Sequence, residues 1–336
     1  MAQYTTNAGT IITEHTLNIS KEALKLYTIF NKHYFDKELS LDDLFICSVI
    51  KIYEAHKQTD YYKFHIDYNY QNKYEFDSNK TIVLAFSGGL DSAYQALTLR
   101  EQGYNVILYH VKNMNYYTNG KEFQIVDQFS NHFKFPLVIS YFKQNNLKEN
   151  QERKYWQENS FKNILLYSMI IDYCIDNKIK TISCGDDLRL DIKDAVVGTN
   201  IADAKQITKP FIENIKRTIG IDFIFVDHNI NKAQRLKKLQ QYDALDLFYS
   251  CVNPGRSNQS NHKRIQKKFN VNLEQYNCGV CRKCAFHSLL RHYYLDKKYP
   301  QEFIDFCWIK IANGADNKFF NNELSLEERI KNLIEY

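Results

Sequence analysis

Apolar and polar positions change rhythm twice along the chain. From Lys21 to Tyr34, and again from Leu41 to His56, apolar residues recur at helical spacing behind Ser20 and Ser40, which predicts two amphipathic helices. From Tyr62 to Phe76 the pattern turns to alternation through Tyr62, Phe64, Ile66, Tyr68 and Tyr70, with Asn72 near a turn, which predicts a small hairpin. Residues 1–78 are therefore read as a small α+β N-terminal module whose chemistry the sequence does not disclose.

After Asp77-Ser78-Asn79, apolar runs alternate with helical patterns. Strands are predicted at Thr81–Phe86, Val106–Val111, Leu137–Tyr141, Lys180–Cys184 and Phe223–Val226. Helices are predicted between them, near Ser92–Gln102, Phe123–Phe133, Ser160–Asp176 and Thr208–Ile219. That alternation makes residues 79–230 an α/β domain: a doubly wound, parallel, five-stranded sheet with its ligand site at the carboxyl ends of the strands. Residues 231–336 read as a helical C-terminal region, except for a cysteine-bearing loop between Ser250 and Cys284.

Composition narrows the class without naming a chemistry. The 336 residues exceed the usual size of one core, so one large domain with an appendage, or two domains, is expected. No apolar run is long enough to span a bilayer. The first residues, MAQYTTNAGT, lack the basic start and apolar stretch of a secretory signal, so a cytoplasmic protein is expected. The excess of 44 basic over 39 acidic residues is mild, and ATP alone would satisfy it. The densest basic stretch, His262 to Lys268, reads as a solvated helix face rather than a nucleic-acid groove.

The chemistry begins where the first buried strand ends. Ser87-Gly88-Gly89-Leu90-Asp91-Ser92 follows Thr81–Phe86 without a spacer and leads into a helical pattern. Two adjacent glycines let the backbone approach a phosphate, while the helix start offers unpaired N–H groups and the positive end of its dipole. Ser87 and Ser92 can donate hydroxyls, and Asp91 can either hold a magnesium ion or organise the loop. The plainer alternative is a turn with a helix cap. Neither the Gly-x-x-x-x-Gly-Lys-Ser/Thr nor the Gly-x-Gly-x-x-Gly motif occurs.

Cys278, Cys281 and Cys284 form Cys-x2-Cys-x2-Cys, and Cys251 precedes them with 26 residues between. Four thiolates can close a tetrahedral zinc site, with Gly279 easing the knuckle and Arg282 and Lys283 offsetting its charge. Such a site is structural, because a closed tetrathiolate keeps no position for water. An iron–sulfur cluster is the competing reading. Cys47, Cys174, Cys184 and Cys307 sit in apolar patterns and read as packing residues.

The hexapeptide resembles the SGGxDS motif of the PP-loop ATP-pyrophosphatase superfamily, with its adenine nucleotide α-hydrolase-like fold. That resemblance implies attack of a substrate oxygen on the α-phosphorus of ATP, with pyrophosphate leaving. Together with the late cysteine set, the chain resembles 7-cyano-7-deazaguanine synthase (QueC) and its relatives over about residues 80–296. Lys162-Asn163 resembles that family's Arg-Asn, Gly185 its glycine after a strand, Asn231-Lys232-Ala233 its Asn/Ser-Lys-Ala, and Ser250-Cys251 its first zinc ligand.

The resemblance implies adenylation of a carboxylate, such as a 7-deazaguanine acid, followed by amide or nitrile formation with ammonia, or conjugation to a protein amine. It implies ATP, Mg2+ and Zn2+ as cofactors, with Asp91, Lys162 and Lys232 as catalytic residues. Ser87, Gly88, Gly89, Leu90, Asp91, Ser92, Asn163 and Gly185 would bind the nucleotide, and Cys251, Cys278, Cys281 and Cys284 the metal. Lys162 and Lys232 each have a plain alternative as surface helix lysines.

The family's Gln-Arg-His after the second strand is replaced by Val111-Lys112-Asn113-Met114-Asn115, and its Tyr-Pro-Asp-Cys by Asp191-Ile192-Lys193-Asp194. Keeping the ATP and zinc machinery while changing the substrate-reading segments resembles the QueC-like proteins of bacterial anti-phage operons. Expected partners are then the acid, ammonia or a protein amine, co-encoded defence proteins, and a second copy of the chain as a homodimer. Nucleic acid and membrane are not expected. The alternatives are a tRNA-thiolating PP-loop enzyme and a non-enzymatic ATP-binding subunit.

Overall fold

A computed structural model of the chain describes residues 2–5, 11–18, 75–112, 121–143, 170–171, 173–185, 216, 220–226, 230–249, 251, 256–274, 277–313 and 323–335. The helices expected at 21–34 and 41–56 lie outside these residues, as does the hairpin expected at 62–76 apart from Glu75 and Phe76, which are not in a strand. Lys162, Asn163 and the segments 113–115 and 191–194 lie outside them too.

The predicted apolar runs all form strands. They are β3 (Thr81–Ala85), β4 (Asn105–Lys112), β5 (Leu137–Lys143), β6 (Thr181–Cys184) and β7 (Asp222–Ile224). Ile82, Val83 and Leu84 are wholly buried, as a central parallel strand covered on both faces requires. Two strands that the pattern did not announce extend the sheet at one edge, β1 (Ala2–Thr5) and β2 (Ile11–Asn18). The order is β1-β2-β5-β4-β3-β6-β7, parallel throughout except for the antiparallel β1–β2 pair. The N-terminal segment thus contributes to the same sheet, through the register Ile12↔Leu137 to Asn18↔Lys143.

Among β3 to β7 the chain winds outward from β3 to β4 and β5, then returns to the other side of β3 for β6 and β7. The order reverses between β3 and β6. At such a switch point the connecting chains diverge and leave a crevice at the carboxyl ends of the strands. The register aligns Ala85 with Tyr109 and with Cys184, so β3 and β6 end level with one another while β4 runs on to Lys112.

The helices are α1 (Leu90–Glu101), α2 (Lys121–Phe133), α3 (Lys232–Gln241), α4 (Arg256–Phe269), α5 (Arg282–Tyr294), α6 (Gln301–Ala312) and α7 (Leu326–Glu335). Residues 173–176 close the helix expected at 160–176. Helix α4 corrects the reading of 250–284 as a loop. Its buried Ile265 and Phe269 alternate with exposed Lys263, Arg264, Lys267 and Lys268, which also makes His262 to Lys268 the helix face that was expected.

One apolar cluster runs through Ile82 and Leu84 of the sheet, Leu97 of α1, Leu236 of α3, Leu289 of α5, Phe303 of α6 and Leu333 of α7. The core therefore crosses the boundary drawn at 230/231 without a break. No described helix is long and apolar enough to cross a membrane.

Candidate functional site: phosphate loop and four-cysteine centre

The Ser87–Ser92 loop emerges from β3 at the switch point. Its base is pinned by the Phe86 amide, which donates to the Tyr109 carbonyl at 2.8 Å, and by His110 Nδ1, which donates to the Phe86 carbonyl at 3.0 Å. Gly88 adopts φ +78°, a conformation that costs a side-chain-bearing residue, and this turns the chain directly into α1. Gly89 occupies the N-cap position and no side chain caps the helix. The first-turn amides and the positive end of the dipole are left facing the crevice, the arrangement that binds phosphate.

The serines tie the loop together. Ser92 Oγ donates to the Gly89 carbonyl at 3.1 Å and lies 3.3 Å from Ser87 Oγ, which accepts from the Gly89 amide. Ser87 is exposed and Ser92 buried, so Ser87 presents the accessible hydroxyl. Gly185, at the end of β6, has its backbone against the first turn of α1: a Cβ there would stand 2.8 Å from the Ser92 nitrogen. Its contribution is close packing beneath the loop. Deeper in the crevice, Gln95 Nε2 donates to Ser183 Oγ at 2.7 Å, and Ser183 Oγ donates to the Ile224 carbonyl at 2.6 Å, bonding α1, β6 and β7 across the reversal.

Asp91 meets two cations from α3. Lys232 Nζ contacts both carboxylate oxygens at 2.5 Å, and Arg235 Nη1 donates to Oδ1 at 2.7 Å. Burial raises the carboxyl's pKa, but Lys232 and then Arg235 overcome that and hold it well below the usual carboxylate range. Helix α3 begins with a reciprocal capping box: Asn231 accepts from the Gln234 amide and the Gln234 side chain accepts from the Asn231 amide. That cap fixes the turn from which Lys232 and Arg235 project, three residues apart on one face. Sequence reasoning found Lys232 and missed Arg235. The available signal was an arginine one helical turn beyond Lys232.

Both charges of the clamp pass into one carboxylate, leaving a net charge of +1 beside the loop. Asp91 thus bridges α1 to α3, with its oxygens engaged by Lys232 and Arg235.

The four predicted thiols converge. Their sulfurs all lie within 4.8 Å of one another, with Cys278 Sγ 3.6 Å from Cys284 Sγ. Backbone amides support them: the Cys278 amide donates to Cys284 Sγ, that of Cys281 to Cys278 Sγ and that of Cys284 to Cys281 Sγ, at 3.3 to 3.4 Å. Cys281 is the N-cap of α5. Asn277 anchors the knuckle by accepting from the Gly279 amide at 2.8 Å and donating to Ser288 and Glu274. His287 lies on α5 one turn beyond Cys284, packed against Phe248 and Phe286. Burial, then Arg291 and Lys232, lowers its pKa to about 3, so it is neutral near pH 7 and belongs to the core rather than to the metal set.

Sheet order and switch point define a HUP-type, adenine nucleotide α-hydrolase-like fold. A family model described as the tRNA methyl transferase HUP domain matches residues 80–158, the segment holding β3, the loop, α1, β4, α2 and β5. No curated protein matches the chain. Among solved structures, a predicted subunit of tRNA methyltransferase from Methanocaldococcus jannaschii is similar at 13% identity and TM-score 0.31, covering 48% of this chain and 74% of that one. The U34-tRNA thiolase NcsA from Methanococcus maripaludis, with its [4Fe-4S] cluster, is similar at 16% identity and TM-score 0.37, covering 75% and 80%.

Proposed function

We propose that the chain is an ATP-dependent adenylating enzyme of QueC-like type, which activates a carboxylate, such as that of a 7-deazaguanine acid, for attack by nitrogen. The observation that carries the reading is the uncapped start of α1 behind Gly88 and Gly89, at the point where the sheet order reverses. A carboxylate oxygen attacks the α-phosphorus, the bond to the β-phosphate breaks, and pyrophosphate leaves into the first-turn amides. Ammonia or a protein amine then adds to the acyl carbon, loses a proton and expels AMP. Lys232 and Arg235 add positive charge at the edge of the loop, while Ser87 donates to phosphate oxygens.

Magnesium, when bound with ATP, neutralises phosphate charge. Asp91 is engaged by Lys232 and Arg235, and no step is routed through the magnesium ion. Zinc fits the four thiolates better than a cubane cluster does. Zinc–sulfur bonds of about 2.3 Å place tetrahedral sulfurs about 3.8 Å apart, close to the 3.6 Å between Cys278 and Cys284. A four-iron cluster would need each thiolate on a different metal and so more widely spaced. Cys251, Cys278, Cys281 and Cys284 would hold the zinc ion, which supplies cross-linking rather than chemistry.

A second reading, with RNA as the adenylated substrate, is favoured by the HUP-domain match and by α4, which carries no acidic residue and exposes Lys263, Arg264, Lys267 and Lys268. Protein incubated with ATP, magnesium and either 7-carboxy-7-deazaguanine or tRNA, with and without co-encoded proteins, separates the two. Release of AMP and pyrophosphate with the acid, together with a new amide, nitrile or protein mass, supports the first. Release only with tRNA, with salt-sensitive binding, selects the second. Turnover with neither leaves an ATP-binding subunit.

A further inference from the structure

The segment that leads to Cys251 also holds the phosphate loop. The Tyr249 amide donates to the Gly88 carbonyl at 3.0 Å, and Tyr249 forms an isolated parallel bridge with Gly89. Its ring lies against Gly88: a Cβ on that glycine would stand 3.4 Å from Tyr249 Cε1 and 3.2 Å from Val126 Cγ2 of α2. The phenol hydroxyl donates at 2.9 Å to Oε1 of Glu122, a buried residue in the first turn of α2. Two residues further along the chain is Cys251, buried, with its sulfur in the four-cysteine cluster.

We infer that Tyr249 is a positioning residue of the phosphate loop and that it couples occupancy of the four-cysteine site to nucleotide binding, an inference that rests on the nucleotide-binding reading above. Glycine pairs have little conformational preference of their own, so the geometry that points amides at a phosphate has to be imposed by neighbours. Val126 and the Tyr249 ring both crowd the Cβ position of Gly88, and the Tyr249 main chain fixes the Gly88 carbonyl.

The tether is short. Two residues span at most about 7 Å of extended chain, so an ion that fixes Cys251 confines Tyr249, and through it Gly88 and Gly89. Without the ion, metal–sulfur bonds no longer hold Cys251 to Cys278, Cys281 and Cys284, and the confinement that reaches Tyr249 through Cys251 loosens.

The test compares zinc-loaded wild type, Tyr249→Phe, Tyr249→Ala and chelator-stripped wild type. The readouts are calorimetric binding of ATP and of pyrophosphate, and amide hydrogen exchange across residues 81–112. Zinc-loaded wild type should bind both ligands. Tyr249→Phe, which keeps the ring and loses the Glu122 bond, should bind about threefold to tenfold more weakly. Tyr249→Ala and the stripped protein should each lose at least about tenfold, with faster exchange from Gly88 to Ser92 and unchanged exchange in β3 and β4. Wild-type affinity and loop exchange in both Tyr249→Ala and the stripped protein would overturn the coupling while leaving the nucleotide site intact. Faster exchange throughout β3 and β4 would overturn it as well, by assigning the loss to unfolding. Failure of the zinc-loaded wild type to bind either ligand would sink the nucleotide-binding reading and the coupling together.

Discussion

At the scale of single residues, two carboxylates carry the electrostatic argument. Arg235 is 5% exposed and Lys232 21%, and both lean on Asp91, whose own side chain is 33% exposed. Asp91→Asn keeps the shape and removes the charge to which the buried Arg235 guanidinium donates. Breaking a fully buried pair costs about 3–5 kcal/mol; with a third of Asp91 in solvent the expected cost is about 2 kcal/mol. Urea denaturation measures that, and ATP binding should weaken in parallel as α3 comes loose from α1. Glu274 gives the pH counterpart. It is 7% exposed, accepts from Lys297 at 2.6 Å and Tyr299 at 3.1 Å, and pairs with Arg291 at 2.8 Å. Burial raises its pKa, but Arg291 and then Lys297 lower it from 4.5 to about 2. A carboxyl more acidic in the folded than in the unfolded state stabilises above the unfolded value, and the contribution disappears as pH falls from 4.5 through 2. The shift corresponds to about 3 kcal/mol. Glu274→Gln should therefore be less stable than wild type at pH 7, with the gap closing across that acid window in denaturation series at pH 7, 4.5 and 3.

At the scale of elements, the knuckle between Asn277 and α5 depends on shape. Gly279 has φ +71°, and a Cβ there would stand 2.7 Å from Ile265 Cγ2 and 2.9 Å from Leu273 Cδ1. Gly279→Ala combines a left-handed backbone penalty with overpacking against α4, together about 2–4 kcal/mol. The variant should unfold at lower urea and surrender its metal to a chromogenic chelator faster than wild type. The same elements show what the sequence could disclose. Strands β3 to β7 were legible because a parallel strand buried on both faces reads as an apolar run, and the phosphate loop because its glycines follow such a run directly. Helix α4 was half legible: His262 to Lys268 reads as a helix face, but the flanking cysteines drew the whole of 250–284 into one loop, although Ile265 and Phe269 carried the helical spacing. Strands β1 and β2 were missed for another reason: β2 gains its sheet partner from β5, more than a hundred residues away, and no local pattern reports that pairing. Arg235 and Tyr249 were hidden likewise, each defined by contacts to Asp91, Gly88 and Glu122 that exist only after folding.

At the scale of the molecule, the continuity of the core decides how the metal contributes. The helices that follow Asn231 share one apolar cluster with the sheet, and α3 packs against α1. Cys284 shares α5 with Leu289 and Leu290, both wholly buried in that cluster. A metal-bound knuckle mounted on an independent lobe would stabilise that lobe alone; here the ion's binding energy acts on the fold as a whole. An ion held only by the native state, at a free level a hundredfold above its dissociation constant, adds about 2.7 kcal/mol. For a chain of this size that corresponds to a midpoint shift of about 5 °C. Scanning calorimetry of zinc-loaded and chelator-stripped protein should show the midpoint fall by that order in a single transition, with tertiary signals from the sheet and from Trp308 on α6 lost together. Two separated transitions, only the lower of them moving with zinc, would make the cysteine-bearing region a unit of its own and remove the mechanical basis for any influence of the ion on the phosphate loop.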